Sequence, residues 1–288
     1  MPATPSVREQ VITLPPEGAV VAIATHPRRV SDRPPIIFLN AGVLHRIGPH
    51  RQHVELARRF AGRDVAALRI DLAGIGDSPP HAEADSFRDS AIADTRAAMD
   101  ALGAELGATQ FVLFGLCSGA DNALATAAVD PRVVGVVALD PPAYASRRAR
   151  LRKVAAMVPA WLARGELVER VVALAWRRVG RASEPPDDAA GNRREIPERA
   201  AHGEQLAALT ERGVRILAIY TGVLGERYNH PEQLFEHYPA LRGRVEIGYF
   251  PEANHSFTER AAQAALSDLV VGWYERQFRA PLAPARAG

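Results

Sequence analysis

One cysteine occurs in the 288-residue chain, and it stands within Phe111-Val112-Leu113-Phe114-Gly115-Leu116-Cys117-Ser118-Gly119-Ala120. An apolar run that reads as a buried strand enters Gly115-x-Cys117-x-Gly119 and continues directly as a helix. The central residue of such a turn takes a strained backbone, and glycines two positions either side relieve crowding between strand and helix. The turn lifts the central side chain over the carboxyl edge of a sheet. It also sets the thiol at a helix N-terminus, where the positive end of the dipole favours thiolate, the nucleophilic form. The backbone N–H of Ser118 then faces a developing oxyanion. A free cysteine is more often a small buried apolar residue, but here it falls between the paired glycines. Ser118 is the poorer candidate, because Leu116 and Ala120 flank it at that spacing. A single cysteine excludes an internal disulfide and a cysteine-based zinc site.

A turn of this kind needs a sheet behind it, and the pattern along the chain predicts one. Val11–Leu14 and Ala19–Thr25 read as an antiparallel hairpin around Pro15-Pro16-Glu17-Gly18. Short apolar runs at Ile36–Leu39, Val65–Ile70, Phe111–Phe114 and Val133–Leu139 then alternate with helical patterns at His50–Phe60, Ser86–Leu106 and Ala120–Val129. Continuous apolar strands separated by helices predict a mostly parallel sheet covered on both faces, the α/β class. The alternation breaks from Tyr144 to Val179, which reads as wholly helical with Met157, Trp161, Leu167, Val171 and Trp176 as apolar anchors. A polar stretch from Arg181 to Arg199 reads as a loop. Helix Gly203–Arg212, strands Val214–Tyr220 and Val245–Tyr249, and helix Thr258–Gln277 resume the pattern. The reading is a core of residues 1–143 and 201–278, a helical cap insertion at 144–200, and a flexible tail at 279–288.

With 47% hydrophobic and 24% charged residues the composition is that of an ordinary globular protein. A net charge of +2 gives no case for nucleic acid. No apolar run is long enough for a transmembrane helix, and Met1–Gln10 carries no apolar signal core. A cytoplasmic, reduced setting is expected, in which the thiol stays free.

These residues resemble the α/β-hydrolase superfamily, from about Val11 to Gln277, with Cys117 in place of the commoner serine. Gly115-Leu116-Cys117-Ser118-Gly119 together with Ala41-Gly42-Val43-Leu44-His45-Arg46-Ile47-Gly48-Pro49-His50-Arg51 is similar to a cysteine-nucleophile subgroup related to serine aminopeptidase-like and exosortase-associated hydrolases. Asp71-Leu72-Ala73-Gly74-Ile75-Gly76-Asp77-Ser78 matches a turn that is mainly structural in that superfamily. The resemblance implies an α/β-hydrolase fold and a Cys-His-acid triad. The base it points to is His255, in the loop after the last strand. For the acid, the usual position after Tyr220 holds no aspartate in Thr221-Gly222-Val223-Leu224-Gly225-Glu226-Arg227, which leaves Glu226 one residue late. Asp140, closing the preceding strand in Asp140-Pro141-Pro142, is favoured over it. The second oxyanion N–H falls to Gly42 or Val43, after Asn40. Asn40, His45 and Arg46 are candidates for substrate contact; the other role open to Asn40 is to hold the oxyanion loop by a backbone hydrogen bond, and a basic surface turn is the competing account of the last two.

The chemistry implied is acyl transfer through a Cys117 thioester, as a thioesterase or acyltransferase, with no cofactor and no metal. A plain esterase or amidase and a non-catalytic ligand-binding homologue are the alternatives. Nine Arg and Lys residues between Tyr144 and Gly180, against Glu166 and Glu169, suit an acyl donor carried on coenzyme A or an acidic carrier protein. A solvated helix face explains them more simply.

Overall fold

A computed structural model describes residues 7–14, 20–81, 86–164, 169 and 194–279. The chain enters as an antiparallel hairpin, β1 (Arg8–Leu14) and β2 (Val20–His26), in register from Arg8–His26 to Leu14–Val20. It continues through β3 (Ile36–Phe38), α1 (Gln52–Ala61), β4 (Ala67–Ile70), α2 (Phe87–Leu106), β5 (Phe111–Leu116), α3 (Ser118–Val129), β6 (Val133–Leu139) and α4 (Arg147–Ala163). After the segment outside the described residues come α5 (Arg199–Glu211), β7 (Arg215–Thr221), the short α6 (Gln233–His237), β8 (Val245–Phe250) and α7 (Arg260–Gln277). One eight-stranded sheet results, in the order β1-β2-β4-β3-β5-β6-β7-β8. β1 and β2 pair antiparallel, as do β2 and β4; every pair from β4 onward is parallel. This is the α/β-hydrolase fold.

The central strands β3, β5 and β6 are apolar because each face of the sheet has its own core. Along β5, Phe111 and Leu113 enter one core, with Met99 and Leu102 of α2 and Ala123 of α3. Val112, Phe114 and Leu116 enter the other, with Leu56 and Phe60 of α1 and Val270 and Trp273 of α7. Successive side chains point to opposite faces, so a strand buried on both sides shows no alternation in sequence. Each fully buried residue of this size contributes roughly 1.5–3 kcal/mol relative to exposure. The consequence for function is rigidity at the strand ends, where loops leave the carboxyl edge.

Several boundaries move from those read in sequence. The helix expected from His50 begins at Gln52, because His50 (φ 49) and Arg51 (φ 63) sit in a left-handed turn. The helix expected from Gly203 begins at Arg199, and the last helix at Arg260 rather than Thr258. Of the helical stretch expected from Tyr144, α4 covers Arg147–Ala163 despite Pro159 inside it. Leu167, Val171 and Trp176, most of the loop expected from Arg181, and the tail beyond Arg279 lie outside the described residues, as does the side chain of Trp161. No described helix is long and apolar enough to cross a membrane.

Candidate active site

Cys117 lies between β5 and α3 with φ 57 and ψ −119, a strained conformation for a residue bearing a side chain. Its neighbours make that conformation possible. A Cβ on Gly115 would lie 2.1 Å from the backbone of Gly119, and one on Gly119 would lie 2.4 Å from the carbonyl oxygen of Asn40. Only glycine fits at either place. The turn is held from behind by the Cys117 N–H, which donates to Leu139 O at 2.9 Å, and it opens α3 through Ala120 N–H donating to Cys117 O at 2.9 Å. The thiol is half-buried at the carboxyl edge of the sheet.

Asp140 follows β6, fully buried and at φ 47. Its N–H donates to Ile219 O at 2.7 Å, which draws it across to β7. One carboxylate oxygen accepts the Thr221 N–H at 2.8 Å; the other accepts the Thr221 hydroxyl at 2.8 Å and faces His255 Nδ1 at 2.6 Å. His255 is carried by the loop after β8, which is pinned by the buried Phe257 packed edge-on against Phe250 with ring centroids 5.2 Å apart. The hydrogen bond to Asp140 raises the His255 pKa to about 9, helped by the adjacent Cys117 thiol and opposed by burial. Burial on its own would raise the Cys117 pKa. The His255 hydrogen bond, the Arg194 charge and the Ser118 N–H together outweigh it and bring the pKa down. A protonated imidazole beside an ionised thiol is the resting arrangement this favours.

Arg194 belongs to the same site. Its Nη1 donates to Cys117 Sγ at 3.7 Å and to Asp140 O at 3.1 Å. Its Nε and Nη2 form a two-point bridge to Asp121, at 2.5 and 2.7 Å. Asp121 sits in the first turn of α3, where the helix dipole suits an acid. Burial raises the Asp121 pKa despite its arginine partner, so the pair is held in a partly desolvated pocket.

Opposite them, Ala41–Leu44 forms a turn closed by Leu44 N–H donating to Ala41 O at 3.0 Å. The Gly42 N–H donates to Ser118 Oγ at 2.9 Å, and Val43 is 73% exposed. Asn40 anchors this turn from beneath: its Nδ2 donates to Leu44 O at 2.8 Å and Asp71 Oδ1 at 3.0 Å, and its Oδ1 accepts the Leu72 N–H at 2.7 Å.

Residues 36–268 match the alpha/beta hydrolase family. The chain belongs to that family. No curated protein matches the sequence of this alpha/beta hydrolase. Among solved structures it is similar to an esterase from Pyrococcus furiosus, at 16% identity and a TM-score of 0.58, with 96% of this chain and 92% of that one covered. It is also similar to a serine hydrolase without a lid from Xanthomonas campestris, at 14% identity and TM-score 0.55, covering 98% and 99% of the two chains. A third is the esterase domain of a Rhodothermus marinus protein, at 16% identity and TM-score 0.55, covering 94% and 99%. At these identities the likeness is one of fold.

Within this alpha/beta hydrolase, several sequence candidates lie elsewhere. Glu226 is exposed and pairs with Lys153 Nζ at 2.7 Å; the carboxylate on His255 is that of Asp140. The short helical turn Gly222–Arg227 after β7 carries Glu226 outward. Asn40 is buried and its amide is fully engaged, so its place is under the turn and not against a substrate. Arg46 donates to Asp71 and, at 2.8 Å, to Asp77, and His45 lies 3.3 Å from Asp77, so both close the loop onto the Asp71 turn. His45, Asp71 and Asp77 present atoms close enough together for a cation, but the Arg46 guanidinium already stands among them. Sequence reading missed Arg194, which falls in the stretch taken as a polar loop. The one signal for it was Asp121, an acid in the first turn of the helix that follows Cys117.

Proposed function

We propose that the protein is an acyl-transfer hydrolase in which Cys117 carries the acyl group, His255 moves the proton and Asp140 orients His255. The observation that carries this is the pair of positive groups against one sulfur: His255 held by Asp140, and Arg194 at 3.7 Å. A thiolate at this position is stabilised by the charge of the buried guanidinium. The thiolate attacks the acyl carbon and forms the Sγ–C bond. The tetrahedral intermediate collapses, the leaving group departs, and His255 gives it a proton. Neutral His255 then takes a proton from water or another acceptor, which attacks the thioester; the C–Sγ bond breaks and the thiolate–imidazolium pair returns.

Thioesters are the favoured donors, because exchange between two sulfurs is nearly balanced in energy. In this reading the insertion at 144–200 is the cap, and its described parts include α4 and Arg194. The second reading is hydrolysis of oxygen esters, which the fold likeness to the Pyrococcus furiosus esterase favours. Incubation with S-phenyl thioacetate and with p-nitrophenyl acetate, followed by intact mass, tests both. A Cys117-dependent acetyl adduct and faster turnover of the thioester are expected. Faster oxygen-ester turnover that survives or rises in Cys117→Ser would replace the first reading by the second. Turnover intact in Cys117→Ala would end both.

A further inference from the structure

The loop that should receive the acyl oxygen has its Gly42 N–H directed into the Ser118 hydroxyl at 2.9 Å. A serine hydroxyl has two acceptor positions and one donor hydrogen. Gly42 occupies one acceptor position, and among the described residues the Ser118 O–H donates to no other group. The backbone N–H of the same residue is the first of α3, directly after Cys117. Ser118 therefore sets an N–H, and an O–H with no acceptor among the described residues, next to the residue that carries the reacting atom.

The backbone around this contact has little room to rearrange. Gly119, the next residue, lies so close to the Asn40 carbonyl that a Cβ there would sit 2.4 Å from it. Asn40 is tied in turn to Asp71 and Leu72 at 3.0 and 2.7 Å. The separation of the Gly42 turn from the start of α3 is thus set by backbone contact. A hydroxyl whose oxygen already accepts a hydrogen bond is also a better donor, since bonds in a chain polarise one another.

We propose that the Ser118 hydroxyl is a catalytic oxyanion donor, giving its O–H to the acyl oxygen while it accepts the Gly42 N–H, so that Gly42 acts through Ser118 and not directly. This rests on the Cys117 acyl-thioester reading and puts a side-chain donor in the place first assigned to the Gly42 N–H.

The test compares Ser118→Ala and Ser118→Thr with the unaltered protein, using p-nitrophenyl acetate and its thiono analogue as probes. Loss of one oxyanion donor should slow the acylation burst of Ser118→Ala by about 10²-fold, with Ser118→Thr restoring most of it. The thiono ester, whose sulfur accepts hydrogen bonds poorly, should react much more slowly than the oxygen ester in the unaltered protein and lose much of that handicap in Ser118→Ala. Alkylation of Cys117 by iodoacetamide attacks a saturated carbon and forms no oxyanion, so its rate should not change. An acylation rate that holds or rises in Ser118→Ala would overturn the proposal and return the role to the freed Gly42 N–H. So would a parallel loss of alkylation, which would place the effect on the thiol. Failure of the proposal alone leaves a Cys117-dependent burst in place; failure of the acyl-thioester reading removes that dependence.

Discussion

Two clusters at the carboxyl edge of the sheet share the same residue types. In one, His45 and Arg46 meet Asp71 and Asp77; in the other, His255 and Arg194 surround Asp140 and Cys117. Both aspartates that anchor them are fully buried. They differ in what the histidine has left to do. Asp71 accepts the Arg46 N–H at 2.6 Å, the Asn40 amide at 3.0 Å, the Asp77 N–H at 3.1 Å and the Arg46 guanidinium, so His45 stays at 3.5 Å on its edge. Asp140 satisfies only Thr221 besides His255, and takes the histidine at 2.6 Å with the thiol beyond it. A histidine near a buried aspartate is therefore not a site in itself. Saturation of the carboxylate by loop donors makes a fastener; an unsaturated one with a nucleophile in line makes a candidate triad.

The sharpest contrast is expected on exchanging each aspartate for asparagine. In Asp140→Asn the Thr221 hydroxyl can turn to accept from the new amide, so the fold should persist. The amide facing Nδ1 imposes the wrong tautomer, and kcat should fall by about 10⁴-fold, measured beside an unchanged circular dichroism spectrum. Asp71→Asn should act the other way. It removes the buried partner of Arg46 and should cost about 3–5 kcal/mol of stability, read by urea unfolding, with the alkylation rate of Cys117 in the folded fraction unchanged. A kcat loss in Asp71→Asn as deep as that in Asp140→Asn would break the comparison.

Arg194 separates the clusters more finely. Lowering of the Cys117 pKa keeps thiolate present below the usual thiol range, so the rise of iodoacetamide alkylation with pH should lie on the acid side of that of a free cysteine. Arg194→Met removes one of the charges responsible. The profile should shift alkaline, with a loss of about tenfold at pH 7; an unshifted profile would reduce Arg194 to a strut for Asp121. The smallest change is expected at Glu226, whose pair with Lys153 is exposed on both sides. Glu226→Gln should leave stability within about 0.5 kcal/mol and kcat within about twofold. A large kcat loss there would return Glu226 to the list of acids.

Much of this was legible in order and spacing. The runs Phe111–Leu116 and Val133–Leu139 are too apolar for anything but strands with two covered faces, and Gly115 and Gly119 admit a strained residue between them because no other side chain fits. Asp140 stood out because the loop after Tyr220 lacks an aspartate. What the spacing could not show was which donors each polar group had already spent. His45 and Arg46 read as pocket residues from their position in the chain, yet their contacts turn them inward to Asp71, while Asn40 takes the loop-holding role that was also open to it.

The sequence by itself determined the fold and the thiol's place on it, because apolar periodicity and glycine sterics act over a few neighbouring residues. Only the tertiary structure decided the surroundings of that thiol. Arg194 reaches Cys117 across 77 positions of chain and Asp140 reaches His255 across 115. The charge that lowers the Cys117 pKa is set by distance in space, to which distance along the chain is no guide.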